Sequence, residues 1–351
     1  MIRLFEKIWS SKEIPTSWAT ACILLLPKSS NLADPAEFRP IALTNTIGKI
    51  FFGLVAKRLE KFMVQNKFIS KIQKGFKANT PGCLEHSFGM FEALLDAKFN
   101  QKQIVVSWLD LKNAYGSVRH NLLQFALARF HVPAFIRRLI FDYYDKLCAL
   151  IRSKTWSTEI FPFEIGLFQG CALSCILFNC VFQLLLDLLH PQAAKCGYSF
   201  KDSSITLHDQ AFADDISICS SRPELNQLSI NCLVRFLKWA RMQANPKKCI
   251  SFASKKFDPR FIPKVHYERY GSTVYCPYDP MLTIDGEKLK FIVNVAADPN
   301  SLQFDHFKEL GRWISVNLSE DKVKIEIRRK LTEDVEIVDR WCKRIVQAFP
   351  V

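Results

Sequence analysis

Hydrophobic and polar positions change period repeatedly along this chain, and each change marks an element. Residues 1–20 place apolar side chains at helical spacing through Ile2, Leu4, Phe5 and Ile8 until Pro15 interrupts them. Residues 21–26 (ACILLL) form a short apolar run ending at Pro27-Lys28, which predicts a buried strand. The turn-forming stretch SSNLADPAEFRP predicts a loop, and residues 44–64 return to the helical period. A loop over 75–82 leads into a helix to about Lys98. Residues 103–110 (QIVVSWLD) read as a strand with Asp110 at its end. Helices are predicted over 119–130 and 133–150, and extended chain over 155–165.

A glycine-containing turn at 166–170 precedes the most apolar run, residues 171–189 (CALSCILFNCVFQLLLDLL), which is nearly long enough to cross a bilayer. Asn179, Gln183 and Asp187 recur every four residues within it, so one face of the helix is polar. That stripe favours the core helix of a large soluble domain over a membrane span. Residues 203–220 hold two β-rich runs around Asp214-Asp215. An amphipathic helix follows from Pro223 to about Met242, then a loop containing Asn245-Pro246-Lys247-Lys248 and a short strand, CISFAS. Pro259, Pro263, Pro277, Pro280 and Pro299 punctuate residues 255–300, which predicts an insertion or hairpin-rich connector. Residues 302–318 look β-like, and residues 320–349 look helical with alternating charge.

Composition narrows the class. The chain has 351 residues, 49% hydrophobic and 23% charged, which suits about two globular units and excludes wholesale disorder. Lys and Arg number 48 against 34 acids, a net charge of +14 that favours a polyanionic partner, most simply nucleic acid. The surplus is concentrated. Residues 49–77 carry eight Lys or Arg against Glu60 alone, and residues 241–270 carry eight against Asp258 and Glu268. The 12 cysteines are scattered through apolar runs, and no ligand spacing accompanies Cys171, Cys175 and Cys180. They read as buried thiols of a reducing compartment. The N-terminus lacks the layout of a secretory signal, so the chain is expected to be neither secreted nor transmembrane.

Three carboxylates carry candidate chemistry. Asp110 ends an apolar strand, and Asp214-Asp215 sit between two apolar runs. A strand-end Asp is commonly a turn former, and an acidic pair is commonly a solvated turn. Here the flanks are apolar: Val105, Val106, Trp108 and Leu109 on one side, Ala211, Phe212, Ile216 and Ile218 on the other. Adjacent acids between buried strands repel one another and resist desolvation. A divalent cation is the usual compensation, and hard oxygen donors favour Mg²⁺, with Mn²⁺ as a substitute. Two such ions about 3.5–4 Å apart suit in-line phosphoryl transfer.

The order of motifs closes the choice of reaction. Leu26-Pro27-Lys28 with Phe38-Arg39-Pro40-Ile41-Ala42-Leu43, then Gln73-Lys74-Gly75-Phe76, then Trp108-Leu109-Asp110-Leu111-Lys112-Asn113-Ala114-Tyr115 resemble the fingers and first palm motifs of reverse transcriptases of non-LTR (LINE-like) retrotransposons. So do Gly166-Leu167-Phe168-Gln169-Gly170-Cys171-Ala172-Leu173-Ser174, Phe212-Ala213-Asp214-Asp215, Asn245-Pro246-Lys247-Lys248 and Leu310-Gly311, in the family's order.

The resemblance implies an α+β right-hand polymerase: fingers over 1–100, palm over 101–255 with an antiparallel sheet backed by helices, a Pro-rich insertion over 256–300, and a primer grip with the start of a partial thumb over 301–351. It implies RNA-directed DNA synthesis by nucleotidyl transfer. Asp110, Asp214 and Asp215 would bind two Mg²⁺. Lys28, Arg39, Leu111, Tyr115, Gln169, Gly170 and Lys248 would hold the dNTP, with Tyr115 excluding a ribose 2′-hydroxyl and Lys248 serving the departing pyrophosphate. Leu310 and Gly311 would position the primer. Ser174 and Asn179 are weaker candidates that could equally brace the apolar helix. The implied partners are an RNA template, a DNA primer and dNTPs, with an endonuclease and the remaining thumb supplied by missing parts of a larger polyprotein, in the nucleus or a cytoplasmic ribonucleoprotein.

Two departures from the family pattern stand out. Gly116 occupies the position of an acid that normally starts a helix, a role Ser117 would partly assume, and Arg241 replaces a usual glycine. The competing readings are a group II intron maturase-like or telomerase-like polymerase, and a decayed or truncated copy that only binds RNA.

Overall fold

The computed structural model of the chain describes residues 1–28, 34–77, 80, 82–291, 306–309 and 312–315. In chain order the elements are α1 (Ile2–Ser11), α2 (Thr16–Ala19), β1 (Thr20–Pro27), β2 (Phe38–Leu43), α3 (Thr46–Gln65), α4 (Gly82–Phe99), β3 (Ile104–Leu109), α5 (His120–Arg129) and α6 (Ala134–Asp145). Next come β4 (Cys148–Ile151), β5 (Phe161–Pro162), α7 (Ser174–Leu189), α8 (Ala193–Cys196), β6 (Tyr198–Ser199), β7 (Thr206–Leu207), β8 (Asp209–Phe212), β9 (Asp215–Ser220) and α9 (Pro223–Ala240). The described chain ends with β10 (Ile250–Lys256), α10 (Lys264–Tyr270), β11 (Tyr275–Pro277), β12 (Thr283–Ile284), β13 (Glu287–Lys288), β14 (Lys290–Phe291), β15 (His306–Glu309) and β16 (Arg312–Ser315).

The expected α+β class holds. The larger sheet runs β11-β10-β3-β9-β8, with β14 beside β10. Its β8, β9, β3, β10 and β11 pair antiparallel throughout, and β14 joins β10 in parallel. Strand alternation gives that sheet two faces. Val105 and Leu109 of β3 point into the main core with α5, α7 and α9. Ile104 and Val106 point the other way and pack with Met90, Ala93, Leu94 and Ala97 of α4. Asn226 of α9 fastens the helical layer to the strands, accepting from Ser107 Oγ at 2.6 Å and donating to the carbonyls of Val105 and Ile218.

A second sheet has the order β2-β1-β4-β5, and its Ala21, Ile23 and Ala42 join the same core. The sheet corrects two expectations. The predicted loop reaches only to residue 37, because Phe38–Leu43 pairs with β1 in antiparallel register. Pro40 offers no N–H, which an edge strand tolerates. The helix expected over 133–150 ends at Asp145, and Cys148–Ile151 runs parallel to β1. A short apolar run has no period that separates strand from helix; the open edge of β1 decides it.

α7 is buried on nearly all sides, its Phe178, Cys180, Leu185 and Leu186 fully so, as expected of a core helix. α3 starts at Asn45, whose side chain accepts from the amides of Ile47 and Gly48. Residues 255–291, expected to be an insertion or hairpin-rich connector, form short strands and the helix α10, with β11 and β14 joining the larger sheet. The helix expected over 320–349 lies outside the described residues.

Candidate active site

The alternation that buries Val106 under α4 carries Trp108 and then Asp110 onto the same face, beyond the part α4 covers. Leu109 pairs with Ile216, so Asp110 and Asp215 stand side by side where β3 ends and β9 begins. Phe212 pairs with Asp215, leaving Ala213 and Asp214 as a two-residue hairpin turn. Ala213 has φ +57°, in the left-handed region that such turns normally give to glycine. The three sequence-predicted acids are thereby brought to one corner. Asp110 and Asp215 share a cavity of about 190 Å³ with Trp108, Phe212, Ser217 and Lys248.

Electrostatics sets this corner apart. Burial, then the negative charges of Asp214 and Asp110, push the Asp215 carboxyl up to about 6. Burial and Asp110 also raise Asp214, while Arg39 pulls it back down. Arg39 therefore lies within electrostatic reach of the turn from β2. The carboxylates fit a divalent cation by donor chemistry: hard oxygens whose mutual repulsion a dication would relieve. Among the described residues, no three His, Cys, Asp or Glu are gathered tightly enough to enclose an ion as they stand.

The remaining predicted residues surround this corner. Lys28 and Arg39 are exposed at the β1–β2 end, where Leu26 pairs with Arg39. Leu111 is buried and bridges Ala244. The Asp110 carbonyl accepts from Asn245 N at 2.8 Å, so the loop bearing Lys248 holds the backbone of Asp110. Tyr115 stacks on Phe178 of α7 at 4.6 Å and meets Phe76 edge-on. Its phenol is raised by burial, then by Cys175 and Asp214, so it borders the acids. Gln169 accepts from Ala42 N through its carbonyl at 2.7 Å. At Gly170, with φ +116°, a Cβ would lie 2.6 Å from the Ala42 carbonyl oxygen. Glycine alone lets this loop meet β2. Leu310 and Gly311 lie outside the described residues, between β15 and β16.

Both departures are accommodated away from the acids. A Cβ at Gly116 would stand 2.3 Å from the Asn113 side chain, and Gly166 packs onto the Gly116 backbone. Ser117 does not replace the missing acid: its hydroxyl donates back to the carbonyls of Asn113 and Lys112, and α5 begins only at His120. Arg241 closes α9 with φ +55°, which explains why glycine is usual there.

Sequence reasoning assigned Gln73 no role. It is 1% exposed. Its Nε2 donates to Ala213 O at 3.0 Å, and its Oε1 accepts from Ala213 N and from Gly75 N, both at 2.8 Å. Asn179 of α7 then donates to Gly75 O at 3.0 Å, and Gln183 accepts from Ser70 N at 2.8 Å. The polar stripe read from the α7 sequence is thus the seat of the 70–75 segment. That stripe was the available signal; its partner was not.

Residues 26–267 match the family described as reverse transcriptase (RNA-dependent DNA polymerase). Among known proteins, the Pol polyprotein of the type-1 retrotransposable element R2 of Nasonia vitripennis is 26% identical over 251 residues, 71% of this chain and 23% of that protein. Its counterpart from Popillia japonica is 27% identical over 241 residues, 68% of this chain and 33% of that protein. This chain therefore spans about a quarter of the first of these relatives and a third of the second. Among solved structures, a Candida tropicalis telomerase with an RNA fragment gives a TM-score of 0.48 at 12% identity, covering 72% of this chain and 44% of that one.

Proposed function

We propose that this chain, which belongs to the reverse transcriptase (RNA-dependent DNA polymerase) family and whose relatives are non-LTR retrotransposon polymerases, is an RNA-directed DNA polymerase core that adds dNTPs to a primer 3′-hydroxyl. The observation that carries the reading is the meeting of Asp110 with Asp214 and Asp215 at one sheet corner, with Arg39 reaching Asp214 from the second sheet.

In this reading Asp110, Asp214 and Asp215 hold divalent cations, Mg²⁺ in the first instance, which supply charge neutralisation at the reacting phosphate. Arg39 and Lys28 bind the triphosphate, the guanidinium fork matching phosphate oxygens. Tyr115, fixed by its stack on Phe178, closes the space beneath the sugar and selects against a 2′-hydroxyl. The Gln169-Gly170 backbone, bonded to β2, lies beside the new base pair. Lys248, exposed in the cavity that holds Asp110 and Asp215, donates a proton to the departing pyrophosphate or stabilises its negative charge. The basic residues of 49–77 and 241–270 track the heteroduplex backbone.

Primer extension on poly(rA)/oligo(dT) with Mg²⁺ tests the reading. Extension by the wild-type chain and its loss in Asp214→Asn are expected. Extension that survives Asp214→Asn refutes the assignment, and RNA binding without extension by the wild type favours the RNA-binding remnant.

A further inference from the structure

We infer that Gln73 is a positioning residue for the acidic turn, fixing the Ala213 peptide and through it the directions of Asp214 and Asp215. The role of the turn in polymerisation rests on the function proposed above; the clamp itself does not.

The turn needs an external hold. Ala213 is in the left-handed region, which a residue with a Cβ seldom adopts, and the like charges of the neighbouring Asp214 and Asp215 repel each other. Both effects favour relaxation of the turn. Gln73 opposes them by bonding both the N–H and the C=O of Ala213 with one side-chain amide. Its third bond, to Gly75 N, locks that amide in orientation. The approach depends on Gly75, where a Cβ would sit 2.1 Å from Ala213 N. The segment is anchored from both sides: Lys74 N donates to Ala211 O at 2.9 Å, and Asn179 holds Gly75 O from α7. The chain of contacts Asn179, Gly75, Gln73, Ala213 thus links the core helix to the acids. Gln73 itself touches neither carboxylate, so its effect is on where they point.

The test uses the full chain as wild type, Gln73→Met and Asn179→Leu. Methionine matches the length of glutamine and removes all three bonds; leucine keeps Asn179's branched shape and number of heavy atoms and frees Gly75 O. Backbone hydrogen exchange reads the Ala213 amide, Mn²⁺ binding reads the carboxylates without turnover, and primer extension gives kcat and dNTP KM separately. Ala213 is expected to be protected in the wild type and to exchange about tenfold or more faster in Gln73→Met. The Mn²⁺ midpoint should rise about tenfold, and kcat should fall about 10- to 100-fold with little change in KM. Asn179→Leu should move each readout in the same direction by less, and it decides the matter if Gln73→Met does not fold. Equal Ala213 exchange in wild type and variants overturns the clamp. Lost protection with unchanged Mn²⁺ binding overturns the positioning role. A wild type that binds Mn²⁺ but does not extend primers refutes the polymerase reading alone.

Discussion

β8 carries carboxylates near both ends, and the two ends are built on opposite principles. Asp209, where the strand starts, is 4% exposed and lies 2.9 Å from His208 Nδ1, while His208 Nε2 meets Ser229 of α9 at 2.8 Å. Just past the other end, Asp214 and Asp215 share their corner with a third acid, and burial together with the neighbouring negative charges raises their carboxyls. A buried carboxylate that the chain pairs with its own histidine through one oxygen is structural, even though Asp209 Oδ2 has no hydrogen-bond partner among the described residues. One whose repulsion is left standing, in a cavity, marks a place where something else supplies the compensation.

Exchanging the two ends' carboxylates for amides gives the largest expected contrast. Asp214→Asn should lower primer extension on the order of 10³-fold, while thermal unfolding in EDTA stays put or moves up, because a repelled carboxylate has gone. Asp209→Asn should do the reverse. It weakens the bond to His208 and costs about 1–3 kcal/mol of stability, with kcat per folded molecule near wild type. Calorimetry and extension assays on both variants read the contrast directly. Equal loss of activity from both would erase the distinction.

Much of this contrast was legible in the sequence. Apolar flanks around Asp110 and Asp214-Asp215 announce strands that end in acids, and motif order supplies the reaction. Asp209 was not singled out, since nothing in a one-dimensional string shows that His208 and Ser229 converge on it. Gln73 was hidden for a similar reason: a loop residue has no period, and its bonds depend on Gly75 letting two backbones touch. β2 was lost because Pro40 resembles a loop former until the strand is known to lie at an edge. The polar stripe of α7 shows in the sequence as a face, but what sits on that face is a tertiary fact.

Between the two sheets, Gly170 gives the next effect. Gly170→Ala places a Cβ against the Ala42 carbonyl at a positive φ, which should cost about 1–3 kcal/mol. The damage belongs to the active end, because Gln169 also bonds β2 there. A raised dNTP KM should therefore accompany the lower melting temperature. A lowered melting temperature with unchanged KM would place Gly170 with the structural group.

pH separates the ends more gently. Asp215 titrates near 6 when folded and near the ordinary carboxylate value of about 4 when unfolded. Between those values the folded form binds more protons, so this group's contribution makes metal-free stability fall as pH rises from about 4 to 6. His86, lowered to about 4 by burial and then Lys74, works in the opposite direction: it loses stability as pH falls through 6.5 toward 4. The comparison with Asp215→Asn isolates the carboxylate. The wild-type melting temperature should decline more, or rise less, than the variant's across this window in EDTA, and Mg²⁺ should abolish the difference. Parallel pH profiles would show that Asp215 is not strained by its neighbours.

The smallest effect tests what joins the two ends. From Ser229, which holds His208, α9 continues to its cap at Arg241, after which the chain turns into the 243–249 loop that bonds the backbone of Leu111, Lys112 and Asp110. Arg241 sits at φ +55°, a conformation glycine adopts without strain. Arg241→Gly should therefore stabilise the fold by about 0.5–1 kcal/mol, offset in part by the greater freedom of glycine in the unfolded chain. If the link is only a strut, kcat and dNTP KM should not change, because Arg241 is exposed and is not among the residues proposed to hold the metal or the dNTP; a loss of its proposed heteroduplex contact would show in template affinity instead. A gain in stability accompanied by a fall in kcat would mean that the strained cap helps set the height of Asp110, and the division between a histidine-paired end and a repelled one would have to give way to a single coupled frame.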